Sequence, residues 1–280
     1  MCLGPFLVIE LYTIAPPPAP PLHFSHDGRF KIMQIADLHF SVDAGPCRDP
    51  SSPCDGGAYA YTESLVERAL DEERPDLVVF TGDQLNGQGT SWDPASILAK
   101  FAAPVISRKI PWAAVFGNHD DEDARGSGYR RDQIRLMQGL PYSLVQPGPE
   151  DIHGVGNYVL KVLSADASKT HLLTLYFIDS GAYAAGLIDW LGLFMPTEYD
   201  YIHQDQIEWF LQESGVFVVC SILTGLSVFV VISGSISPII RPFTPDGSKD
   251  FGSIWDRQQH TPPQQKLAKP NALMFFHIPL

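Results

Sequence analysis

The chain has 280 residues, of which 45% are hydrophobic, and a formal net charge of −13. This length allows one domain with a large core, and the acidic balance argues against a protein that wraps nucleic acid through a basic surface. An acidic protein that handles phosphates must neutralise them locally, and bound metal ions are the usual means.

The N-terminal 29 residues are predicted to be a tail with a Pro-rich linker, followed by one domain over residues 30–280. The apolar start is short and contains Glu10, and no basic residue precedes it, so it is a poor signal peptide. It is interpreted as a remnant of a signal peptide or of a membrane anchor. Cys47 and Cys54 flank a Pro/Ser loop, which leaves open a disulfide in a secretory compartment and two unpaired cysteines. A secretory or membrane-associated location is favoured slightly over a cytoplasmic one.

Strand-like and helix-like patterns alternate along the chain. The predicted elements, in chain order, are a strand at 30–36, a helix at 62–74 with Thr62 as its N-cap, a strand at 76–80, a helix at 94–109 broken by Pro104, a strand at 112–116, a helix at 129–139, paired strands at 157–164 and 171–179, a helix at 203–214 and a strand at 272–276. This order predicts an α/β sandwich with parallel strands. Ligands bind beyond the C-terminal ends of the strands in such sheets.

Polar side chains follow four of these strands at the point where each one ends. The first strand runs into "DLH" at 37–39, the second into "GD" at 82–83, the third into "GNHD" at 117–120, and the last into His277. Each motif alone is common in turns and helix caps. Their shared position after a short apolar strand predicts that they meet at one edge of one sheet.

The chemistry of these side chains predicts a site for two metal ions. Hard oxygen donors together with imidazole suit Mn, Fe or Zn, and the Asp83 carboxylate has two oxygens with which to bridge two cations. Asn118 would supply a neutral oxygen. His119 would be free to protonate a leaving oxygen, with Asp120 to orient its imidazole.

The motifs "DLH", "GDQ", "GNHD" and "FFHIPL", in this order, resemble those of the calcineurin-like metallophosphoesterase superfamily. The longer stretches "KIMQIADLHF", "PDLVVFTGDQLNGQ" and "HGVGNYVLKV" are similar to a fungal branch related to plant purple-acid-phosphatase-like proteins. The resemblance implies a four-layer α/β/β/α sandwich that hydrolyses phosphomonoesters, small or protein-borne, with a dinuclear centre and a metal-bound hydroxide. It implies His119 as the catalytic histidine and, as metal ligands, Asp37, His39, Asp83, Asn118 and His277.

Two departures from the family pattern qualify this resemblance. No tyrosine follows the Gly-Asp motif closely, so an iron–tyrosine centre is not expected. The family's Gly-His-x-His motif is not found between His277 and Leu280. The resemblance therefore implies a domain that is incomplete at its C-terminus and impaired in catalysis. The alternative is a membrane-tethered or truncated relative that keeps the fold without the chemistry, and the acidic balance disfavours a nuclease of the same superfamily.

The run at 216–232 is almost wholly apolar and lies in a stretch, 214–240, without charged side chains. Its length is at the lower limit for a transmembrane helix, so membrane contact stays open. A span here would separate His277 from Asp37 by a bilayer. The run is therefore predicted to be an insertion at about 215–235, forming an apolar helix or strand that packs poorly on the domain.

Three other polar residues leave alternatives open. His153 is predicted to lie in an ordinary glycine-rich turn, with a substrate loop as the alternative. Asp179 ends a predicted strand and is either a cap or a ligand contact. His203 has no motif around it and is interpreted as structural or exposed.

Overall fold

The fold consists of four helices and eight strands in the part of the chain that the computed structural model describes, which is residues 16–41, 47, 54, 56–86, 93–121, 127–183, 199–214, 218–223, 226–231 and 271–277. The strands are β1 (Ile32–Ile35), β2 (Leu77–Thr81), β3 (Trp112–Val115), β4 (Tyr158–Leu163), β5 (His171–Phe177), β6 (Val218–Leu223), β7 (Leu226–Val231) and β8 (Asn271–Phe275). The helices are α1 (Gly57–Glu73), α2 (Pro94–Ser107), α3 (Ser127–Gln138) and α4 (Gln204–Glu213).

Two three-stranded sheets form the centre of the domain. The first has the order β1-β2-β3 with all strands parallel, and the second has the order β4-β5-β8. In the second sheet, β4 runs antiparallel to β5 and β8 runs parallel to it. The parallel arrangement predicted from the alternation of strands and helices is confirmed for the first sheet.

Alternation along the strands of the first sheet divides the core into two clusters. Val78 and Phe80 of β2 face the helices and pack in the cluster that contains Phe101 of α2. Leu77 and Val79 point to the other side, where they pack against apolar side chains of the second sheet. On the outer face of that sheet, Tyr176 meets Phe210 of α4, with ring centroids 4.9 Å apart. The layers are therefore helices, sheet, sheet and helix, as predicted.

Two helix predictions are wrong in detail. α1 begins at Gly57, so Thr62 lies inside it and is not its N-cap. The extra turn is stabilised by Tyr59, whose ring packs edge-on against Phe40 at 4.8 Å and whose hydroxyl donates to Glu63 at 3.0 Å. Tertiary contacts therefore extend the helix to Gly57, beyond the segment in which apolar residues recur at helical spacing.

α2 continues through Pro104, where a break was predicted. Proline inside a helix removes one hydrogen bond and costs about 3 kcal/mol. Each large apolar side chain that α2 buries contributes about 1.5–3 kcal/mol, and the buried set includes Ile97, Leu98, Phe101 and Val105. Burial along one face therefore outweighs the local cost of the proline.

The apolar run contains two short strands. β6 and β7 pair with each other in an antiparallel ladder from Val218↔Val231 to Leu223↔Leu226. Within the residues that the structure describes, we find no helix with the length and apolar character needed to cross a membrane. The possibility of a transmembrane helix, which the sequence left open, is therefore not supported by the described residues, in which the run forms two paired strands.

The two loop cysteines, Cys47 and Cys54, are joined in a disulfide, with their Cα atoms 6.3 Å apart. This decides between the two alternatives that the sequence left open.

Candidate metal centre

The ends of β1 and β2 are held together by the backbone of the residues that follow them. The Asp37 N–H donates to the Gly82 carbonyl at 3.1 Å, and the His39 N–H donates to the Asp83 carbonyl at 2.9 Å. Asp37, His39 and Asp83 all have left-handed backbone angles, with φ of 56°, 47° and 54°. Non-glycine residues adopt this region rarely, and such strain is concentrated at functional sites.

The Asp83 carboxylate lies at the centre of the predicted ligands. Its side chain is buried, and its Oδ2 lies 3.2 Å from His277 Nε2 and 3.6 Å from His39 Nε2. Donor atoms of Asp37, Asp83 and His277 all lie within 4.8 Å of one another. His39 Nε2 also lies 3.7 Å from Asp37 Oδ1. Two carboxylates and two imidazoles from three strand ends thus converge on one small volume.

His277 is positioned by contacts on both of its ring nitrogens. Its Nδ1 is hydrogen-bonded to the Thr81 carbonyl at 2.7 Å, which turns Nε2 toward Asp83. Burial alone would lower the pKa of His277, but the Asp83 carboxylate and the Thr81 carbonyl raise it to about 9. Burial would likewise raise the pKa of Asp83, yet its bonds to His277 and to the His119 N–H hold it below the usual range. The two groups therefore stabilise each other as an ion pair.

The loop after β3 brings Asn118 and His119 to the same edge. The His119 N–H donates to Asp83 Oδ1 at 2.8 Å, and the His119 ring lies edge-on to the His39 ring, 5.0 Å between centroids. The Asn118 amide donates to the Tyr183 hydroxyl at 2.9 Å, which turns its oxygen away from that contact. The loop therefore joins the cluster through the His119 N–H and ring, while the Asn118 side chain lies against Tyr183 and its role as a ligand stays a prediction.

Asp120 lies beneath this cluster, fully buried. Its carboxylate accepts the backbone N–H groups of Gly117 at 2.7 Å, Leu85 at 2.9 Å and Asp83 at 3.0 Å. Burial raises the pKa of Asp120 to about 6, against the opposing effect of the hydrogen bonds from Gly117 and Leu85. Asp120 thus fixes the two loops that carry the ligands. Its predicted role in orienting the His119 imidazole stays a prediction.

Comparison with known proteins identifies the family of this chain. The sequence model of the calcineurin-like phosphoesterases matches residues 30–221. The chain belongs to the calcineurin-like phosphoesterase family. By family it is a hydrolase, and the resemblance predicted from the strand-end motifs is confirmed.

Curated relatives of this phosphoesterase come from yeast and plants. Phosphatase DCR2 of Saccharomyces cerevisiae is 41% identical over 212 residues, covering 74% of this chain and 35% of that protein. Probable inactive purple acid phosphatase 29 of Arabidopsis thaliana is 37% identical over 220 residues, covering 73% of this chain and 53% of that protein. Probable inactive purple acid phosphatase 14 of the same plant is 33% identical over 202 residues, covering 68% of this chain and 47% of that protein. The chain therefore spans about a third to a half of the length of these relatives, and the fungal branch of the resemblance is supported.

The donor groups of this phosphoesterase fit the divalent metal ions that its family usually binds. Carboxylate, amide and imidazole donors together suit Mn, Fe or Zn. Two glycines let the Asp83 and His277 side chains lie close to the backbone. A Cβ at Gly117 would collide with the Asp83 side chain, and a Cβ at Gly82 would collide with the His277 ring. Glycine is therefore required at both positions if the two donors are to keep their places.

Sequence reasoning missed one component that supports this edge of the sheet. Arg130 of α3 is buried, and its guanidinium donates to the Gly117 carbonyl at 2.8 Å, to Asp121 at 2.8 and 3.0 Å, and to Asp179. Asp179 is therefore the partner of a buried cation and also accepts from the Val155 N–H at 2.7 Å. No motif surrounds Arg130, so only the fold reveals its contact with the ligand loop.

Proposed function

We propose that this phosphoesterase hydrolyses phosphomonoesters with two metal ions held by Asp37, His39, Asp83, Asn118 and His277. The observation that carries the proposal is the convergence of Asp37, His39 and His277 on the buried Asp83 carboxylate. A phosphate approaching two carboxylates would be repelled unless cations lay between them. Without metal ions these carboxylates would repel the phosphate, and with metal ions bound they are suited to hold it.

Bound metal ions would supply positive charge for the phosphoryl oxygens and would acidify an attacking water. The residues of the chain have separate tasks. Asp83 offers Oδ2 toward both histidines while its Oδ1 is held by the His119 N–H. His119, with its backbone fixed in this way, would donate a proton to the leaving oxygen, which typically contributes about 10²–10⁴-fold.

The test is hydrolysis of para-nitrophenyl phosphate by the 280-residue chain with Mn²⁺, Fe²⁺ or Zn²⁺ added. Asp83→Asn keeps the shape of the side chain and removes its charge, so activity should fall by more than about 100-fold, the upper range for losing a residue that only supports a ligand. Asp132→Asn is the matched control, since Asp132 is an exposed carboxylate that pairs with Arg135 on α3. Equal activity in the two variants would overturn the proposal.

A second candidate is a relative that binds metal and phosphate without turning substrate over. The names of the two Arabidopsis relatives, which describe those proteins as probable inactive phosphatases, favour it. Metal binding by the unaltered chain with no release of nitrophenol under any of the three ions would support this candidate over the first.

We further propose that the protein works in an oxidising compartment of the secretory pathway. The Cys47–Cys54 disulfide supports this, since such bonds persist mainly in oxidising compartments. Mass spectrometry of alkylated protein from the native source should find both cysteines bridged, and free thiols at both positions would contradict the proposal.

A further inference from the structure

A second group of metal-ligand side chains lies outside the candidate metal centre. His153 Nε2 lies 3.0 Å from Asp200 Oδ2, and His203 Nε2 lies 3.0 Å from Asp200 Oδ1. Donor atoms of the three residues all lie within 4.8 Å of one another. We call these residues the His–Asp–His cluster. Sequence analysis placed His153 in an ordinary turn and His203 among residues without a motif, so neither assignment anticipated this contact.

Hydrogen bonds to polar side chains hold the backbone of the two histidines in the cluster. The His153 N–H donates to Asp205 at 2.7 Å, and the His153 carbonyl accepts from the Asn157 amide at 2.8 Å. The fully buried Gln206 donates to Asn157 at 3.0 Å and accepts from the His203 N–H at 2.8 Å. Both histidines are therefore tied to the same network before any ligand binds, which is the preorganisation that a metal site requires.

Ring stacking holds the two imidazoles side by side, and because the lone pair of each Nε2 lies in its own ring plane, one ring must tilt out of the stack for both nitrogens to bind one ion. The His153 and His203 rings are 3.5 Å apart and nearly parallel, at 9°. Tyr201 stacks on the other face of this pair, 4.6 Å from His203 at 2°. The Tyr201 N–H also donates to Asp200 Oδ1 at 2.9 Å, which holds the carboxylate toward the rings.

The composition and exposure of the cluster suit a transition-metal ion of the zinc class. Two imidazole nitrogens and one carboxylate, with a fourth position for water, are a common zinc ligand set, and metal–ligand bonds of about 2.0–2.1 Å place neighbouring donors about 3.3 Å apart. The observed donor separations of 3.0 Å are close to that spacing. The side chains of His153 and His203 are 36% and 30% exposed, so an ion can reach them from solvent.

We propose that His153, Asp200 and His203 bind one Zn²⁺ ion at a site separate from the phosphoesterase centre. The ion would join the turn before β4 to the segment before α4. That segment includes Tyr199, whose ring stacks on Tyr183, the hydroxyl partner of Asn118. The bound ion therefore holds in place the residues that support one ligand of the main centre.

The experiment measures Zn²⁺ binding by the chelator-stripped 280-residue chain in an Asp83→Asn background, in which the main centre is disabled. Competition with a chromophoric chelator gives the dissociation constant, and Co²⁺ absorption reports the coordination. One tight equivalent should remain, and adding His153→Gln and His203→Gln should raise its dissociation constant by more than about 100-fold. The matched control is His23→Gln with His26→Gln, which removes two exposed imidazoles elsewhere and should change the constant less than twofold.

Asp200→Asn is a second test that retains the size of the side chain, and circular dichroism checks that each variant folds. If the double histidine variant does not fold, the Asp200→Asn result decides. Zn²⁺ affinity that is unchanged by the folded cluster variants, or no tight equivalent in the Asp83→Asn chain, would overturn the proposal and leave the cluster as a hydrogen-bonded clamp. Because the assay is made without a working main centre, its failure would not bear on the proposed hydrolysis.

Discussion

Replacing Arg130 by methionine should destabilise the domain strongly. Arg130 is 4% exposed. Its guanidinium is paired with Asp121 and Asp179, donates to the Gly117 carbonyl, and lies 5.1 Å from the centre of the Phe116 ring. Methionine fills much of the volume but leaves the buried Asp179 carboxylate and the partly buried Asp121 carboxylate without their cation. Breaking a buried ion pair by removing one partner costs about 3–5 kcal/mol. For a domain of this size each kcal/mol lowers the melting temperature by about 2–4 °C, so a decrease of roughly 6–20 °C is expected.

Arg135→Met provides the matched control on the same helix. Arg135 pairs with Asp132 at 2.8 Å, but its side chain is 74% exposed, and exposed pairs are worth at most about 1 kcal/mol. Urea and thermal unfolding of both variants, followed by circular dichroism, compare a buried and an exposed arginine directly. Arg130→Lys keeps the charge without the planar fork and should fall between the unaltered protein and Arg130→Met.

The reasoning would be refuted if Arg130→Met unfolded within about 1 kcal/mol of the unaltered protein, the range expected for the exposed control. Such a result would mean that water or protonation of the carboxylates compensates for the missing cation. A stable Arg130→Met chain with weakened metal binding would show instead that the contact with the Gly117 carbonyl matters for the site alone.

Three further predictions concern Tyr158, Gly117 and the apolar run. Tyr158→Phe should cost about 1–3 kcal/mol, because the buried hydroxyl bonds the N–H and the carbonyl of Ala114 at 3.1 and 2.9 Å, whereas Tyr199→Phe at an exposed position should cost little. Burial raises the pKa of the Tyr158 phenol in the folded protein. Above about pH 10 the unfolded chain therefore holds fewer protons than the folded one, and the free energy of unfolding falls by up to about 1.4 kcal/mol per pH unit. Alkaline denaturation of Tyr158→Phe should lack this decrease. Gly117→Ala should weaken Mn²⁺ binding, measured by calorimetry, by more than about 10-fold, because its Cβ would occupy the place of the Asp83 carboxylate; equal affinity would contradict the steric argument. Deleting residues 215–235 should improve soluble expression and leave cooperative thermal unfolding intact, and loss of the unfolding transition would show that the apolar run belongs to the core.

The proximity of several predicted ligands could be anticipated from sequence because these residues follow short apolar strands. Parallel strands bring their C-terminal ends to one edge, so Asp37 and Asp83, which follow β1 and β2, were expected to lie close together. His277 follows β8 of the second sheet, so the prediction that all four strand ends lie at one edge of one sheet is wrong for this residue. Helix positions also followed from the spacing of apolar residues. What the spacing missed depends on tertiary contacts, such as the burial that carries α2 through Pro104.

Arg130 and the His–Asp–His cluster were outside the reach of sequence reasoning for a different reason. Both groups depend on one partner that lies far away along the chain: Arg130 and Asp179 are 49 residues apart, and His153 and Asp200 are 47 residues apart. No local pattern distinguishes a buried arginine on a helix from its exposed neighbours. The apolar run was ambiguous because β-branched residues suit both a membrane segment and a strand. The Thr-Gly pair at 224–225 is also not one of the dipeptides that predict a hairpin most strongly.

The large sequence separation between His277 and the residues it contacts has a consequence for the order of folding. This predicted ligand bonds the carbonyl of Thr81 across 196 residues of sequence, and it joins Asp83 only when β8 has paired with β5. Closing so long a loop carries a large entropic cost before any contact repays it, and such non-local pairings form late and slowly. The β1–β3 sheet, whose contacts are nearer in sequence, is expected to form first and to present an incomplete set of ligands. Stopped-flow refolding with a metal-sensitive dye should therefore show tight metal capture lagging behind the recovery of secondary structure, with its rate set by the docking of β8.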